Sequence, residues 1–384
     1  MKKFLRDLGI ALILCFGLHT ILGTCDLEQS QGTKLRLVSV IFRHGDRTAD
    51  VQKNESYPND PYKDYGYYPY GNGQLTNVGK KRVHQLGLML KNRYNSFLGN
   101  MYYQPYIYAR STMFPRTKMS LLLVFAALYP PTDMQKWNPL LLWQPVDFTY
   151  INITHDQLLF PIQCPVYIRL YNDMVENNIT VKEKIAKFAG IMKELSIYTG
   201  KNMTTMFHLN LLYQTLLAEE SFGLHLPKWT QDLFPNGALL DAAILQFNLF
   251  SYGTLLNKLN GGILLRRIIN DMNEVINGTL KDRKLNLFSG HDINVAAISH
   301  ALNIFCEHVP QYTSSIIIEL HEKNSKFFVK VVHYLGIPPI IIEKRIPGCE
   351  ILCPYDKFIQ LTLTSTATNE ELECPELMAV NFDF

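Results

Sequence analysis

Three short stretches place residues suited to phosphoryl chemistry at the ends of apolar runs. Residues 35–42 stop at Arg43-His44-Gly45-Asp46-Arg47, residues 106–109 at Arg110-Ser111-Thr112, and residues 285–288 at Ser289-Gly290-His291-Asp292. Buried charges need partners, so such a cluster is either a solvated strand end or a preassembled anion site. Guanidiniums gathered at one point repel one another and are expensive to desolvate. A tetrahedral dianion relieves both problems, because its oxygens accept paired N–H bonds from planar guanidinium forks. The expected anion is phosphate.

A neutral imidazole can attack phosphorus and hold it as a phosphohistidine, and nearby arginines keep that imidazole unprotonated in mild acid. His44 is the expected nucleophile, with Gly45 allowing close backbone approach. Arg43, Arg47, Arg110 and His291 are the expected phosphate ligands. Asp292 is the expected proton donor to the leaving alkoxide and later helps to activate water. A carboxyl donates only while protonated, so activity is expected to be best below neutral pH. His44 alone has an equally good structural reading; the functional one gains its weight from compatible groups at all three strand ends. Asp46 is expected to pair with an arginine, and Arg116 to be a solvated or salt-bridged helix residue. The other histidines lack HExxH or similar spacing, so they are read as structural, and neither metal nor cofactor is expected.

Those ends must be brought together by a sheet. Residues 315–320 and 327–334 supply two further β-rich runs. Between the strands lies helical periodicity. Val83, Leu86, Leu90 and Tyr94 share a face of 79–94, Pro115 suits a first helical turn, and residues 294–305 read as a helix. In 261–278, Leu264, Ile268, Met272 and Val275 line one face and Arg267, Asp271 and Glu274 another. This alternation predicts an α/β fold, its central sheet mostly parallel with helices on both faces. In open α/β sheets, ligands collect beyond the carboxyl ends of the strands. Residues 182–200 and 206–223 are helical and strand-like runs are scarce from 150 to 252. That stretch is expected to be an inserted, mainly helical cap lobe, with 26–149 and 253–384 forming the catalytic domain.

The chain has 384 residues, 47% hydrophobic and 18% charged, and a net charge of +3 from 37 basic and 34 acidic residues. No basic block occurs, so nothing supports nucleic-acid binding. Residues 1–25 read as a secretory signal: Lys2, Lys3 and Arg6 precede an apolar run at 8–22, and small Gly23 and Cys25 suit cleavage. The rival reading, an uncleaved anchor, is disfavoured by the shortness of the run and by His19. No later stretch is long and apolar enough for a span, so the mature chain is expected to be exported, without a stable membrane anchor. Asn54, Asn152, Asn178, Asn202 and Asn277 begin glycosylation sequons. Cys349 and Cys353 are expected to close a small disulfide loop, the alternative of half a zinc site lacking a matching pair nearby. Cys164 with Cys374 is the next expected pair. Cys306 is then left over, as a buried thiol or a link to another chain; a homodimer is compatible with this.

Taken together, these stretches resemble the histidine acid phosphatases. RHGDRTAD at 43–50 is similar to their RHGxRxP signature, RSTMFPRT at 110–117 to their RST segment, and SGHD at 289–292 to their HD pair. GNGQLTNVGKKRVHQLG, LLLWQP, LNGGILL and PGCEILCP resemble family segments in the same order. The wording around YPYGNGQLTNVGKK, TKMSLLLVFAALYPP and SSIIIELH is most similar to the secreted venom acid phosphatases of insects. The resemblance implies an α/β domain with a helical cap and metal-free hydrolysis of small phosphate monoesters through a phosphohistidine. It sets Arg43, His44, Arg47, Arg110, His291 and Asp292 on catalytic and phosphate-binding positions. Ala49 departs from the signature proline. Met113, Phe114 and Pro115 stand where an acidic residue is frequent, which makes the substrate rim more apolar. By the same resemblance the cysteine set is smaller than in vertebrate relatives, with one bridge missing and Cys306 extra. Two other readings stay open, a histidine-dependent phosphotransferase and a secreted binding or venom interaction protein on a phosphatase scaffold.

Overall fold

The computed structural model describes residues 32–51, 55–368 and 371. The expected signal at 1–25, the Asn54 sequon and Cys374, hence the Cys164–Cys374 pairing, lie outside them.

In chain order the elements begin with β1 (Lys34–Arg43), α1 (Asn77–Leu98), β2 (Ile107–Ser111), α2 (Pro115–Leu128) and a two-residue β3 (Thr149–Tyr150). Helices α3 (Pro165–Asn177), α4 (Ile179–Ala186), α5 (Ala189–Thr199), α6 (Met206–Phe222) and α7 (Ala238–Phe250) follow. Short α8 (Gly253–Asn257) passes through a π-helical turn at Lys258–Gly262 into α9 (Ile263–Ile276). The chain continues with β4 (Leu285–Gly290), α10 (Asp292–Ala301), β5 (Ser315–Lys323), β6 (Lys326–Tyr334), β7 (Ile341–Lys344), β8 (Cys353–Pro354) and α11 (Tyr355–Thr362).

The strand period of two explains why β1 is apolar on both faces. Val38, Val40 and Phe42 pack against α1 and α2, where Val83, Leu86, Leu90 and Tyr94 form the buried stripe. Leu37 and Ile41 face the other way, onto Leu264, Ile268 and Met272 of α9, Val295 and Ile298 of α10 and Phe358 of α11. Helices thus cover both faces of the sheet. Asp271, expected on the polar face of α9, is buried instead; it accepts from Asn286 Nδ2 at 3.0 Å and pairs with Arg267. Helices α4 to α7 bury a separate apolar cluster that also takes in Ala296 of α10.

The sheet runs β3-β2-β4-β1-β5-β6-β7, with β8 beside β6. It is mixed, which corrects the expectation of a mostly parallel sheet. The β1–β4, β2–β4 and β2–β3 pairs are parallel; β1–β5, β5–β6, β6–β7 and β6–β8 are antiparallel. For β5 and β6 the reason is the tight turn between them, where Asn324 and Ser325 both adopt positive φ. A two-residue turn of this kind returns the chain beside itself and leaves no room for a crossover helix. Among the described residues no single helix is long and apolar enough to cross a membrane.

Candidate active site

The parallel part of the sheet assembles the site. β4 lies between β1 and β2, with Arg43 level with Gly290 and Ser111 level with Ser289, so all three strands deliver their next residues at one carboxyl edge. Backbone bonds carry the ladder past the strand ends: His44 N–H donates to Gly290 O at 3.0 Å and Thr112 N–H to Ser289 O at 3.1 Å. Gly45 does permit a close approach, but to helix α1. A Cβ there would fall 2.5 Å from Gly79 O and 2.7 Å from Val83 Cγ2, so only glycine lets the 43–47 loop lie on the first turn of that helix.

His44 is buried, and its tautomer follows from its neighbours. Nδ1 lies 2.8 Å from Gly45 O, an acceptor only, so Nδ1 carries the proton. Nε2 receives the Nε–H of Arg116 at 3.2 Å and therefore presents a lone pair. The His291 ring stands edge-on to His44 at 5.3 Å. His291 Nε2 lies 3.0 Å from Thr112 Oγ1, and the rings of Phe114 and Phe160 stand 5.2 and 5.1 Å from it. Its backbone N–H is capped by Asn294 Oδ1 at 2.9 Å, which seats it at the start of α10. Burial first, then the positive charge of Arg116 and the other cluster members, hold both imidazoles well below their ordinary value.

Three buried arginines surround the pair. Arg43 gives Nη1 to Pro310 O at 2.6 Å and Nη2 to Gln214 Oε1 at 2.8 Å, stacks 4.2 Å from the Tyr312 ring, and lies 3.1 Å from Asp292 Oδ2. Arg47 is gripped by Glu55, Nη2 to Oε1 at 2.7 Å. Arg116 holds Asp50 at 3.1 Å and lies over the Phe114 ring. The Nε–H groups of Arg43 and Arg47 are buried with no acceptor among the described residues. Buried donors left unpaired in the same cluster as a lone-pair nitrogen are suited to cradling an anion.

Two expectations need correction. Arg110 does not join this cluster. It is level with Phe288, two residues short of the edge, and is spent on buried Asp156 at 2.6 Å. Arg116, expected to be a solvated or salt-bridged helix residue, is salt-bridged to Asp50 but buried, and it also takes the place at His44. The signal was present in the sequence: a helix that follows a parallel strand starts at that strand's carboxyl edge, and Pro115 marks the first turn, so the next residue lies at the crevice. Asp46 pairs with Arg82 and accepts from Ser221 Oγ at 2.9 Å. Away from the site, Cys349 and Cys353 are bonded, and Cys306 is free with Lys344 Nζ 3.6 Å from its sulfur. Asn152, Asn202 and Asn277 are exposed, and Asn178 is half-buried at the start of α4.

Residues 34–334 match the histidine phosphatase superfamily (branch 2). The chain belongs to that family. This histidine phosphatase is 46% identical over 342 residues to the venom acid phosphatase Acph-1 of Apis mellifera, covering 89% of this chain and 88% of that one. It is 32% identical to the prostatic acid phosphatase of Rattus norvegicus, over 87% of each chain. Among solved structures it is similar to the apo form of Hafnia alvei phytase, with a TM-score of 0.64 over 90% of this chain and 99% of the other. Identity there is 16%, so that likeness concerns the fold. The histidine phosphatase is an enzyme of the acid phosphatase type, and its small-molecule substrates are phosphate esters.

Proposed function

We propose that this histidine phosphatase is a secreted acid phosphatase that hydrolyses phosphate monoesters through a phosphohistidine on His44 Nε2. The supporting observation is the fixed tautomer of His44, whose unprotonated nitrogen faces the arginine cluster. Arg43, Arg47, Arg116 and His291 bind the phosphoryl oxygens and neutralise the charge that builds on them. The Nε2 lone pair forms the N–P bond as the ester P–O bond breaks, and the departing alkoxide takes the proton of the Asp292 carboxyl. Water then attacks phosphorus and gives its proton to the Asp292 carboxylate, the N–P bond breaks, and its electron pair returns to Nε2 as phosphate leaves. No step draws on a metal.

Residues 1–25 act as the export signal, in keeping with the venom and prostatic relatives. Residues 150–252 serve as a cap over the catalytic domain and reach the cradle through Gln214. The test is rapid quench of the enzyme with labelled phosphate ester. The label should be acid-labile, stable to alkali, map to the peptide carrying His44 and be missing from His44→Ala. Label on another residue, or turnover persisting in His44→Ala, would sink the assignment.

A further inference from the structure

Helix α6 lies along the 43–49 loop and touches it at helical spacing. Gln214 Oε1 accepts from Arg43 Nη2 at 2.8 Å, Ala218 packs with Ala49 and Tyr67, and Ser221 Oγ donates to Asp46 at 2.9 Å. Positions 214, 218 and 221 form one stripe of a helix, so α6 is seated on the loop along its length. The first contact bears on chemistry, because the same Nη2 lies 3.1 Å from Asp292 Oδ2. One guanidinium nitrogen is thereby shared between a neutral amide and a carboxyl. The amide cannot be turned round, since arginine only donates and must meet the oxygen. Pro310 O anchors the other terminal nitrogen of Arg43 and Tyr312 lies against its plane, so the movement left to the guanidinium is a small one between Gln214 and Asp292.

We propose that Gln214 is a positioning residue for the reaction: by engaging Arg43 Nη2 it keeps Arg43 from closing on Asp292, leaving that carboxyl free to act as proton donor. The inference rests on the reading of Asp292 given above. A glutamate at 214 would draw Arg43 into an ion pair, whereas an apolar side chain would surrender the whole donor to Asp292. The charged and titratable groups around this corner include Arg43, His44, Asp46 and Arg47 of the 43–47 loop, Glu55, Arg116 of α2, His291 before α10, Tyr312, and Tyr213 and Glu220 of α6. All of them remain in either variant, so a change in pH response is traceable to position 214.

The experiment compares wild type, Gln214→Met and Gln214→Glu, both near-isosteric, with thermal melts to establish folding. The kcat–pH profile is measured with glycerol 2-phosphate, a poor leaving group, and with p-nitrophenyl phosphate, a good one. In Gln214→Met the descending limb for glycerol 2-phosphate moves to lower pH by about one unit, a shift that one charge-assisted hydrogen bond can supply. The p-nitrophenyl profile moves much less. In Gln214→Glu the limb moves the opposite way and inhibition by inorganic phosphate weakens. Limbs unmoved in the folded variants, or moved in one common direction, overturn the proposal. If only one variant folds, the direction of its limb decides. Asp292→Asn serves as the separate control. Should it fail to discriminate between the two leaving groups, the reading of Asp292 falls; should it discriminate while the 214 variants leave the limbs in place, only the Gln214 inference falls.

Discussion

Arg116 Nε donates to His44 Nε2 at 3.2 Å, so an arginine from the first turn of α2 marks the nitrogen that the Gly45 carbonyl leaves without a proton. That contact belongs to the resting site. In the proposed phosphohistidine the lone pair of Nε2 is used up by phosphorus, and the same N–H would turn to a phosphoryl oxygen as its new acceptor.

Arg116→Lys should therefore be damaging although it keeps the charge. Lysine has no Nε–H fork to span His44 and Asp50 at once. Each charge-assisted bond lost is worth roughly 10- to 150-fold, so kcat/KM should fall by at least that range. Steady-state kinetics on p-nitrophenyl phosphate decide it, and near-normal values would mean that Arg116 merely packs beside the site.

Arg110 gives the contrasting case. Its ion pair with Asp156 is fully buried, and removing one partner strands the other charge. Arg110→Met should destabilise the fold by about 3–5 kcal/mol while KM and the phosphate inhibition constant stay within about threefold of wild type. Urea denaturation and inhibition by phosphate measure the two effects separately. A large rise in KM with unchanged stability would return Arg110 to the cradle.

These two arginines also show what the sequence made legible. The three apolar runs and their polar ends were readable, because strand periodicity and a Pro-marked helix start are local signals. Which arginine reaches the edge depends on strand register: Arg110 is level with Phe288 while Arg43 is level with Gly290, a depth difference of about 7 Å. Register is a long-range property, and one strand does not display it. The β5–β6 pair was misread for a related reason, since its direction is set by the Asn324–Ser325 turn and not by the apolar content of the two strands. The Gln214–Arg43 contact joins residues 171 positions apart and leaves no local trace.

Asp292 sits at the first position of α10, its Oδ1 on the Ile293 N–H at 2.8 Å and its Oδ2 beside Arg43. In the proposed role of proton donor it matters most when the leaving group is a poor one. Asp292→Asn should slow glycerol 2-phosphate about 100-fold or more, with a much smaller loss on p-nitrophenyl phosphate. Equal losses on both substrates would show that the residue binds or positions and does not donate.

Glu219 of α6 is fully buried opposite Asp60, and among the described residues no side chain other than Asp60 is hydrogen-bonded to its carboxyl, while the hydroxyls of Tyr57 and Tyr67 are buried without partners. Two carboxylates cannot bond to each other unless one keeps its proton. Burial, followed by the charge of Asp60, pushes Glu219 from its ordinary 4.5 up to about 8, and burial raises Asp60 as well. Between those two values the folded chain holds a proton that the unfolded chain releases. Stability therefore falls as pH rises from about 4.5 to about 8, by at most about 1.4 kcal/mol per unit, and is level beyond. The buried imidazoles of His44 and His291 act in the opposite sense below about 6.5. They are common to wild type and to Glu219→Gln, so they cancel in a comparison of the two. The glutamine variant should gain stability relative to wild type steadily between pH 5 and pH 8, with the difference in melting temperature smallest at the acid end. Parallel melting curves across that window would show that Glu219 is ionised in the folded protein and that its pairing with Asp60 imposes no acid preference.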